Sequence, residues 1–417
     1  MLLLKCVTKW KKAASHRNSS PRPPPASNNT GILNTNLSAS RTPLYLTFAL
    51  MLFGFGSISS ARVALSLYAL DLGASASAVG VLVGSLYVFP LLISWPVGRY
   101  SDRVGSRWLL LVGTACGGGA LLIPYFVREL AALYVASTLL GISFTLYNVL
   151  LPNVVGLLSK PEERARNFSN ASLVGATTLF AGPLLAGIAI DVSGHAAACL
   201  YLVALSAAGA AVLIVWGGML PGGGRHAGSA GSLRATLADP AMLRILATSS
   251  LVQVGQDLFQ FYIPVYGYGI GLPASAIGGL LATLAAASFV VRLFLPRLVT
   301  RLGDEKVLAL SFYVTAAGFG LVPFFESVVM LGVVSFVFGL GMGCGQPITT
   351  MMIFSRSAAG RSGETLGLRQ SVNNAMRVSG PAVFGFVATA FGLPPVFWIS
   401  AVMMGGGGVL SRAPRNG

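Results

Sequence analysis

Residues 71–80 read DLGASASAVG, and residues 269–278 read GIGLPASAIG. They lie 198 positions apart, and the same offset returns elsewhere. Across it Arg99 matches Arg297, Arg103 matches Arg301, and Gly105 matches Gly303. GPLLAG at 182–187 matches GPAVFG at 380–385. Apolar segments resemble one another by chance, but chance does not give three landmarks one offset. The chain is read as two copies of one unit.

Each copy holds six apolar segments near the ~20 residues that cross a bilayer as a helix. The spans are read at 44–70, 77–97, 108–127, 131–152, 168–190 and 196–219, then at 241–269, 274–296, 306–325, 328–350, 368–391 and 394–411. The fold class predicted is an all-α membrane protein, twelve transmembrane helices in two parallel six-helix halves. An even repeat keeps both copies in one orientation, the plan of transporters that rock two halves about a central site. The domain reading is a disordered cytoplasmic tail 1–43, a first half 44–219, a cytoplasmic linker 220–240, a second half 241–411 and a short cytoplasmic tail 412–417. The stretch KKAASHRNSSPRPPPASNNTG, 11–31, is polar and Pro-rich, too poor in apolar residues to fold. MLLL at the start is too short for the apolar part of a signal peptide. A start codon assigned too far upstream explains this tail equally well.

Composition agrees. Hydrophobic residues make up 54% of the chain and charged residues 10%, against roughly 25% charged in soluble proteins. A soluble protein of this makeup would expose large apolar patches. The net charge of +16 raises the question of nucleic acid, and the placement of the charges answers it. With both termini in the cytoplasm, the N-terminal tail holds seven Lys and Arg, and each loop after spans 2, 4, 6, 8 and 10 holds three, with Arg244, Lys306 and Arg369 at the edges of the following spans counted in the third, fourth and fifth. Arg412 and Arg415 close the chain, and among these cations Arg128 alone is assigned to an outer loop. This positive-inside bias accounts for the basic balance without a nucleic-acid partner. Cys6, Cys116, Cys199 and Cys344 are scattered, with no metal-ligand or disulfide spacing.

The loop GRYSDRVGSRWLL, 98–110, resembles the signature between helices 2 and 3 of the major facilitator superfamily. Gly98, Asp102, Arg103, Gly105 and Arg107 hold the matching positions, while Ser106 stands where a basic residue is usual. Physically, Gly98 and Gly105 permit a tight turn between two helix ends. Asp102 is able to pair with basic neighbours or with the N-terminal dipole of a facing helix. The resemblance implies that this loop latches the two halves on the cytoplasmic side. It also implies that helices 1, 4, 7 and 10 line a central cavity. KPEERARNFS at 160–169 and GRSGETLGL at 360–368 resemble family loops after helices 4 and 10. The second copy of the signature, PRLVTRLGDEK at 296–306, has Thr300 in place of the aspartate. Many proton-coupled relatives carry an arginine in helix 4, and here Ser137 takes that place, with Ser335 as its repeat partner. The helix-5 pattern of exporters is partly present as Gly182, Pro183 and Gly187, with Gly380 and Pro381 as the helix-11 counterparts, which leans toward efflux.

The stretch QVGQDLFQFYIPVYG, 253–267, places Gln253, Gln256, Asp257 and Gln260 at i, i+3, i+4 and i+7, on one helical face. A charge near the middle of a span is costly and persists mainly where it faces a bundle interior or a watery path. Asp257 is read as a cavity carboxylate that binds a cation or carries a proton, or as the structural partner of Arg377. Gln370, Asn373, Asn374 and Arg377 repeat the stripe in span 11. Arg377 clamps an anionic group or pairs with Asp257. Arg62, in span 1, meets an anionic solute or snorkels to the outer interface, and Arg292 in span 8 is expected to snorkel. Tyr147 and Asn148 in span 4, and Gln346, Thr349 and Thr350 in span 10, are further cavity candidates or interhelical glue. Tyr262 and Tyr266 extend the span-7 face, and Pro264 is expected to break that helix.

An enzyme is hard to build here. His16, His195 and His226 lie in the tail, an outer loop and the linker, so no catalytic or metal cluster forms at one depth. No GxxxxGK[ST] loop appears, so ATP is not the energy source. No cofactor or metal is called for. The reading is a secondary transporter of a small organic solute in a plasma membrane, a bacterial inner membrane, acting as a monomer. It is proton-coupled, with export of drugs or metabolites ahead of uptake of an organic anion. A non-transporting receptor on a carrier fold is the rival from another class; it would need a larger soluble region. Cysteines introduced at Ser193 and Ser229 are expected to label from opposite faces of the membrane, position 193 from outside and position 229 only after permeabilisation. Labelling of both from one face contradicts the twelve-span topology.

Overall fold

The computed structural model describes residues 41–74, 76–222, 238–358 and 360–412. The expected tail and linker fall almost wholly outside these residues. From Thr42 onward the chain is one compact unit.

The helices run in chain order as α1 (Thr42–Asp71), α2 (Ala76–Ser85, continuing after a turn as Val88–Val104), α3 (Ser106–Phe126) and α4 (Leu130–Leu158). One helical segment, Arg164–Trp216, bends at Gly194 (φ 79°, ψ 168°) into α5 (164–193) and α6 (195–216). Then follow α7 (Pro240–Gly269), α8 (Ala274–Leu302), α9 (Asp304–Leu321), α10 (Val328–Arg356), α11 (Ser362–Phe391) and α12 (Leu393–Arg412). Among the described residues nine segments are long and apolar enough to cross a membrane, the α5–α6 segment counting once. α7 and α11 are the remaining two, and they carry the polar stripes seen in the sequence. Together these make twelve long helices among the described residues, consistent with the number read from the sequence.

The backbone carries the repeat as plainly as the sequence does. Gly73 and Gly271, Gly105 and Gly303, and Gly194 and Gly392 all have positive φ, and each pair is 198 residues apart. Each marks the same turn in the two halves. Here glycine is needed because a side chain is strained in that conformation.

Small residues let the helices touch. Apolar lipid gives helices little hydrophobic reason to associate, so close backbone packing has to supply the attraction. A side chain at Gly141 of α4 would strike the backbone of Leu86, and one at Gly339 of α10 would strike that of Leu284. These two contacts are again 198 apart. The second half is also filled by Phe259, Phe319 and Phe338, the first and last stacked at 3.8 Å. The outer surface exposes large apolar side chains such as Phe180, Val192 and Val402, as suits a protein surrounded by lipid.

The two halves meet where α2 lies on α11 and α8 lies on α5. At the first contact a side chain at Gly98 would collide with the carbonyl of Gly363, and one at Gly367 with that of Ser94. This corrects one expectation. Gly105 does form the turn between α2 and α3, with φ 88°, but Gly98 lies inside α2 and serves the approach of α11. At the second contact Ser169 Oγ of α5 donates to the carbonyl of Arg292 at 2.5 Å. The contacts are related by the repeat, since Ser94 and Arg292, and Ser169 and Gly367, are each 198 apart. Replacing Gly98 with Val is expected to wedge α2 from α11. A cysteine at Ser371, whose hydroxyl accepts from the Trp95 amide across this seam, should then react faster with an impermeant maleimide. Unchanged reactivity would show that the seam does not depend on the glycine.

Candidate functional site

The end of the bundle that carries the α2–α3, α4–α5, α8–α9 and α10–α11 loops is rich in Lys and Arg, and is called the basic end below. The bonds between the halves gather there. α11 begins without a cap of its own: the Arg361 side chain pairs with the Glu364 carboxylate at 2.8 Å and accepts from none of the first amides. The first amides of any helix lack internal partners and carry partial positive charge. The other half supplies what is missing. Asp102 Oδ1 accepts from the Gly363 amide and Oδ2 from the Glu364 amide, each at 2.8 Å. Ser362 Oγ donates to Asn153 Oδ1 of α4 at 2.6 Å. Asp102 therefore caps a helix of the opposite half, the second of the two partnerships expected for it. Gly363 belongs to the same arrangement, because a side chain there would fill the space Asp102 occupies.

The rest of the signature is less engaged. Arg103 is exposed. Arg107 lies beside Trp108 and against Gly217, and its Nε is buried with no partner among the described residues. Thr300, which replaces the aspartate in the second copy, bonds the Arg297 carbonyl of its own helix. The α5–α8 side uses a different device. Arg292 does not snorkel; its Nε donates to the Gly343 carbonyl at 3.1 Å and Nη1 to the Ser172 carbonyl of the first half at 3.0 Å. Helix backbone carbonyls are strong acceptors, and a guanidinium that finds them inside the protein has no need to reach for water.

The mid-membrane polar groups form one chain of contacts. Arg377 Nε donates to Asp257 Oδ2 at 3.1 Å. Gln253 Nε2 donates to both oxygens of Asp257 at 3.0 Å. Gln346 of α10 donates to Gln253 Oε1 at 2.7 Å. Arg369 donates to Gln346 Oε1 at 2.5 Å and to Ser249 Oγ at 2.7 Å. On the other side, the Arg377 guanidinium lies 5.5 Å from the Tyr87 ring centre, and Arg62 Nη1 donates to Tyr87 Oη at 3.2 Å. The chain thus runs from α1 and α2 of the first half into α11, α7 and α10 of the second.

The Asp257–Arg377 pair borders a small cavity of about 20 Å³, room for about one water in this conformation, shared with Val254, Leu258, Phe261, Tyr262 and Met376. The two side chains are 32% and 27% exposed, so the pair is reachable. Tyr262 is 2% exposed, and its hydroxyl has no partner among the described residues. An unpaired buried hydroxyl costs on the order of 1–3 kcal/mol.

Of the other residues expected here, Gln256 is half-buried and Gln260 exposed. Asn373 accepts from Ser250 at 3.3 Å within the second half. Asn148 turns back to the Phe144 carbonyl. Tyr147, expected to face the cavity, is 1% exposed, packs over Gly54 and bonds Thr114 at 2.6 Å. It fills the space between α1, α3 and α4 instead. Ser137 bonds the Leu82 carbonyl. Thr349 and Thr350 bond their own helix. Pro264 does not break α7, which stays helical to Gly269. Gly182 lies on Ser59 and Ser60, bringing α5 onto α1 beside Pro183. Gly380 and Pro381 fall on α11, and their surroundings lie outside the described residues.

One residue escaped the sequence reading. By sequence Arg369 reads with the basic loop after span 10, yet it is 7% exposed inside α11. The signal was available. Arg369, Asn373 and Arg377 recur every four residues, so Arg369, one residue before Gln370, belongs to the same polar stripe.

Twelve helices in two repeated halves, latched at one end around a charged centre, define a membrane carrier. The family model described as Major Facilitator Superfamily matches residues 44–381 and 270–415. The chain belongs to that superfamily. It is a multi-pass membrane transporter and not an enzyme. It is 23% identical over 316 residues to the class D tetracycline resistance protein of Salmonella ordonez, covering 74% of this chain and 79% of that one. It is 22% identical over 339 residues to the multidrug resistance protein MdtG of Klebsiella pneumoniae (strain 342), covering 77% and 80%. Among solved structures, the transporter FucP in its outward conformation superposes with a TM-score of 0.75 at 15% identity, over 89% of this chain and 98% of that one.

Replacing Asp102 with Asn leaves the shape but removes the charge facing two amides. A helix cap is worth about 1 kcal/mol, and more when charged and shielded. The variant is expected to insert and fold normally yet to lose most of its transport rate in vesicles. Full transport by a well-folded Asp102→Asn protein would remove the gating role.

Proposed function

We propose that the chain is a proton-coupled secondary transporter of a small organic solute, working by alternating access as a monomer in a bacterial inner membrane. The basic end faces the cytoplasm in this reading, with both termini on that side. The observation that carries it is the Asp257–Arg377 pair, midway along α7 and α11 and partly exposed beside a small cavity. A proton on Asp257 removes the charge that holds the Arg377 guanidinium. Proton arrival therefore changes the bonding between α7 and α11, and α11 is the helix whose end Asp102 holds. The bonds between halves gather at the basic end, which supports an outward-open state, with the cytoplasmic side shut.

The resistance proteins among its relatives support efflux as the direction. A second reading, uptake of an organic anion, is favoured by the charges themselves: Arg377 bonds Asp257, Arg369 reaches it through Gln346 and Gln253, and Arg62 joins the same cluster at Tyr87.

In everted vesicles with an imposed pH gradient, and tetracycline as the test solute, Asp257→Asn is expected to abolish uphill accumulation while sparing solute-for-solute exchange. Coupled accumulation by the variant would rule out Asp257 as the proton carrier. If the pair is purely structural, the double change Asp257→Asn with Arg377→Gln restores both stability and coupled transport.

A further inference from the structure

We propose that the charged centre beside this small cavity, widened as the bundle opens, takes an organic anion with an apolar or aromatic body, its charged group held by Arg62 of the first half and Arg377 of the second. The proposal rests on reading this cavity as the transport site and names the class of solute.

Arg62 and Arg377 converge on one side chain, Tyr87. Arg62 bonds its hydroxyl, and Arg377 lies over its ring. The two guanidinium groups therefore flank a single phenol, although one sits on α1 and the other on α11. Arg62 does not extend to an interface. It reaches across to α2, and among the described residues no carboxylate comes within ion-pair distance of it. Arg377 gives its Nε to Asp257, and its terminal nitrogens make no other protein hydrogen bond among the described residues. Two positive charges thus face one negative charge. Buried charge inside a bilayer persists where it is paired or meets a wet path, and here one guanidinium is left to be matched.

The lining suits the same class of ligand. Guanidinium groups bind carboxylate, sulfonate or phosphate oxygens through paired N–H donors. The Tyr262 hydroxyl, buried and unpartnered on the same cavity, is a further donor for such an oxygen. Leu258, Phe261 and Met376 supply an apolar wall. Phe144 meets Tyr87 edge-on, with ring centres 5.8 Å apart. A cationic ligand has only Asp257 to bind, with Arg377 already upon it. An anion that bridges α1 and α11 also ties the halves together, so its occupancy bears on which end of the bundle can open.

The test uses the purified full chain and compounds of one shape that differ in charge. Melting temperature is recorded with benzoate, benzenesulfonate and phenyl phosphate, and with neutral benzamide and cationic benzylamine. A ligand that binds the folded state raises the melting temperature in proportion to its occupancy. The anions are expected to stabilise the protein and the other two to do little. Arg62→Gln is expected to weaken anion binding about tenfold or more, and Arg62→Lys to recover part of it. Should Arg62→Gln lower the ligand-free melting temperature, Tyr262→Phe makes the same test from the opposite wall, with a severalfold loss expected. A flat response to all three anions, or an anion response untouched by these substitutions, overturns the proposal. Stabilisation by benzylamine that disappears in Asp257→Asn also overturns it, yet leaves the cavity standing as the transport site. No response to any compound, together with coupled transport surviving in Asp257→Asn, removes the site reading as well.

Discussion

The carboxylate of Asp102 satisfies the first amides of a helix that belongs to the opposite half. Much of the structure depends on this bond across the interface. α11 has no cap of its own, so its first turn is complete only while the halves are closed at the basic end. Gly98, Gly363 and Gly367 exist as glycines because the backbones must come close enough for that carboxylate to reach. The repeat places a second seam opposite, where Arg292 ties α8 to the backbone of α5. The seams match in position and differ in chemistry. One uses a carboxylate on amide donors and the other a guanidinium on carbonyl acceptors, which fits a motif whose second copy has lost its aspartate at Thr300.

α11 also links the latch to the charged centre. Its first turn is held by Asp102, its next turns present Arg369, and its middle presents Arg377. A change in the bonding of Arg377 therefore acts on the same rigid element as the latch. Low dielectric strengthens each bond in the chain from Arg62 to Arg369, and equally raises the cost of leaving any member unpaired. Such a network favours discrete arrangements over gradual drift. That property is what a carrier needs to be shut at one end or the other.

Much of this was legible in the sequence. The offset of 198 residues predicted turns that the positive-φ glycines reproduce, and the Asp257 and Arg377 stripes predicted faces that do meet. The misreadings have a common cause. Helical spacing says which residues share a face, but not what that face touches. Tyr147 shares a helix with cavity candidates and turns into the packing against Gly54. Gly98 reads as a turn residue until α11 is seen to lie on it. Arg292 and Arg369 read as interface or loop charges because the carbonyl, serine and glutamine groups that receive them come from other helices. Pro264 reads as a break, yet α7 continues through it. Neighbouring helices and local adjustment tolerate the lost bond within a bundle.

The central claim is that the two ends of the bundle open in alternation and that the Asp102 cap belongs to one of the two states. Paired spin labels test it most directly, one pair at Val104 and Leu302 on the basic end and another at Leu72 and Tyr268 on the opposite end, with distances measured in lipid nanodiscs. The account predicts two populations for each pair, linked inversely, so that molecules with a longer basic-end distance show a shorter opposite-end distance. A single fixed distance for both pairs, or lengthening of both together, would contradict it.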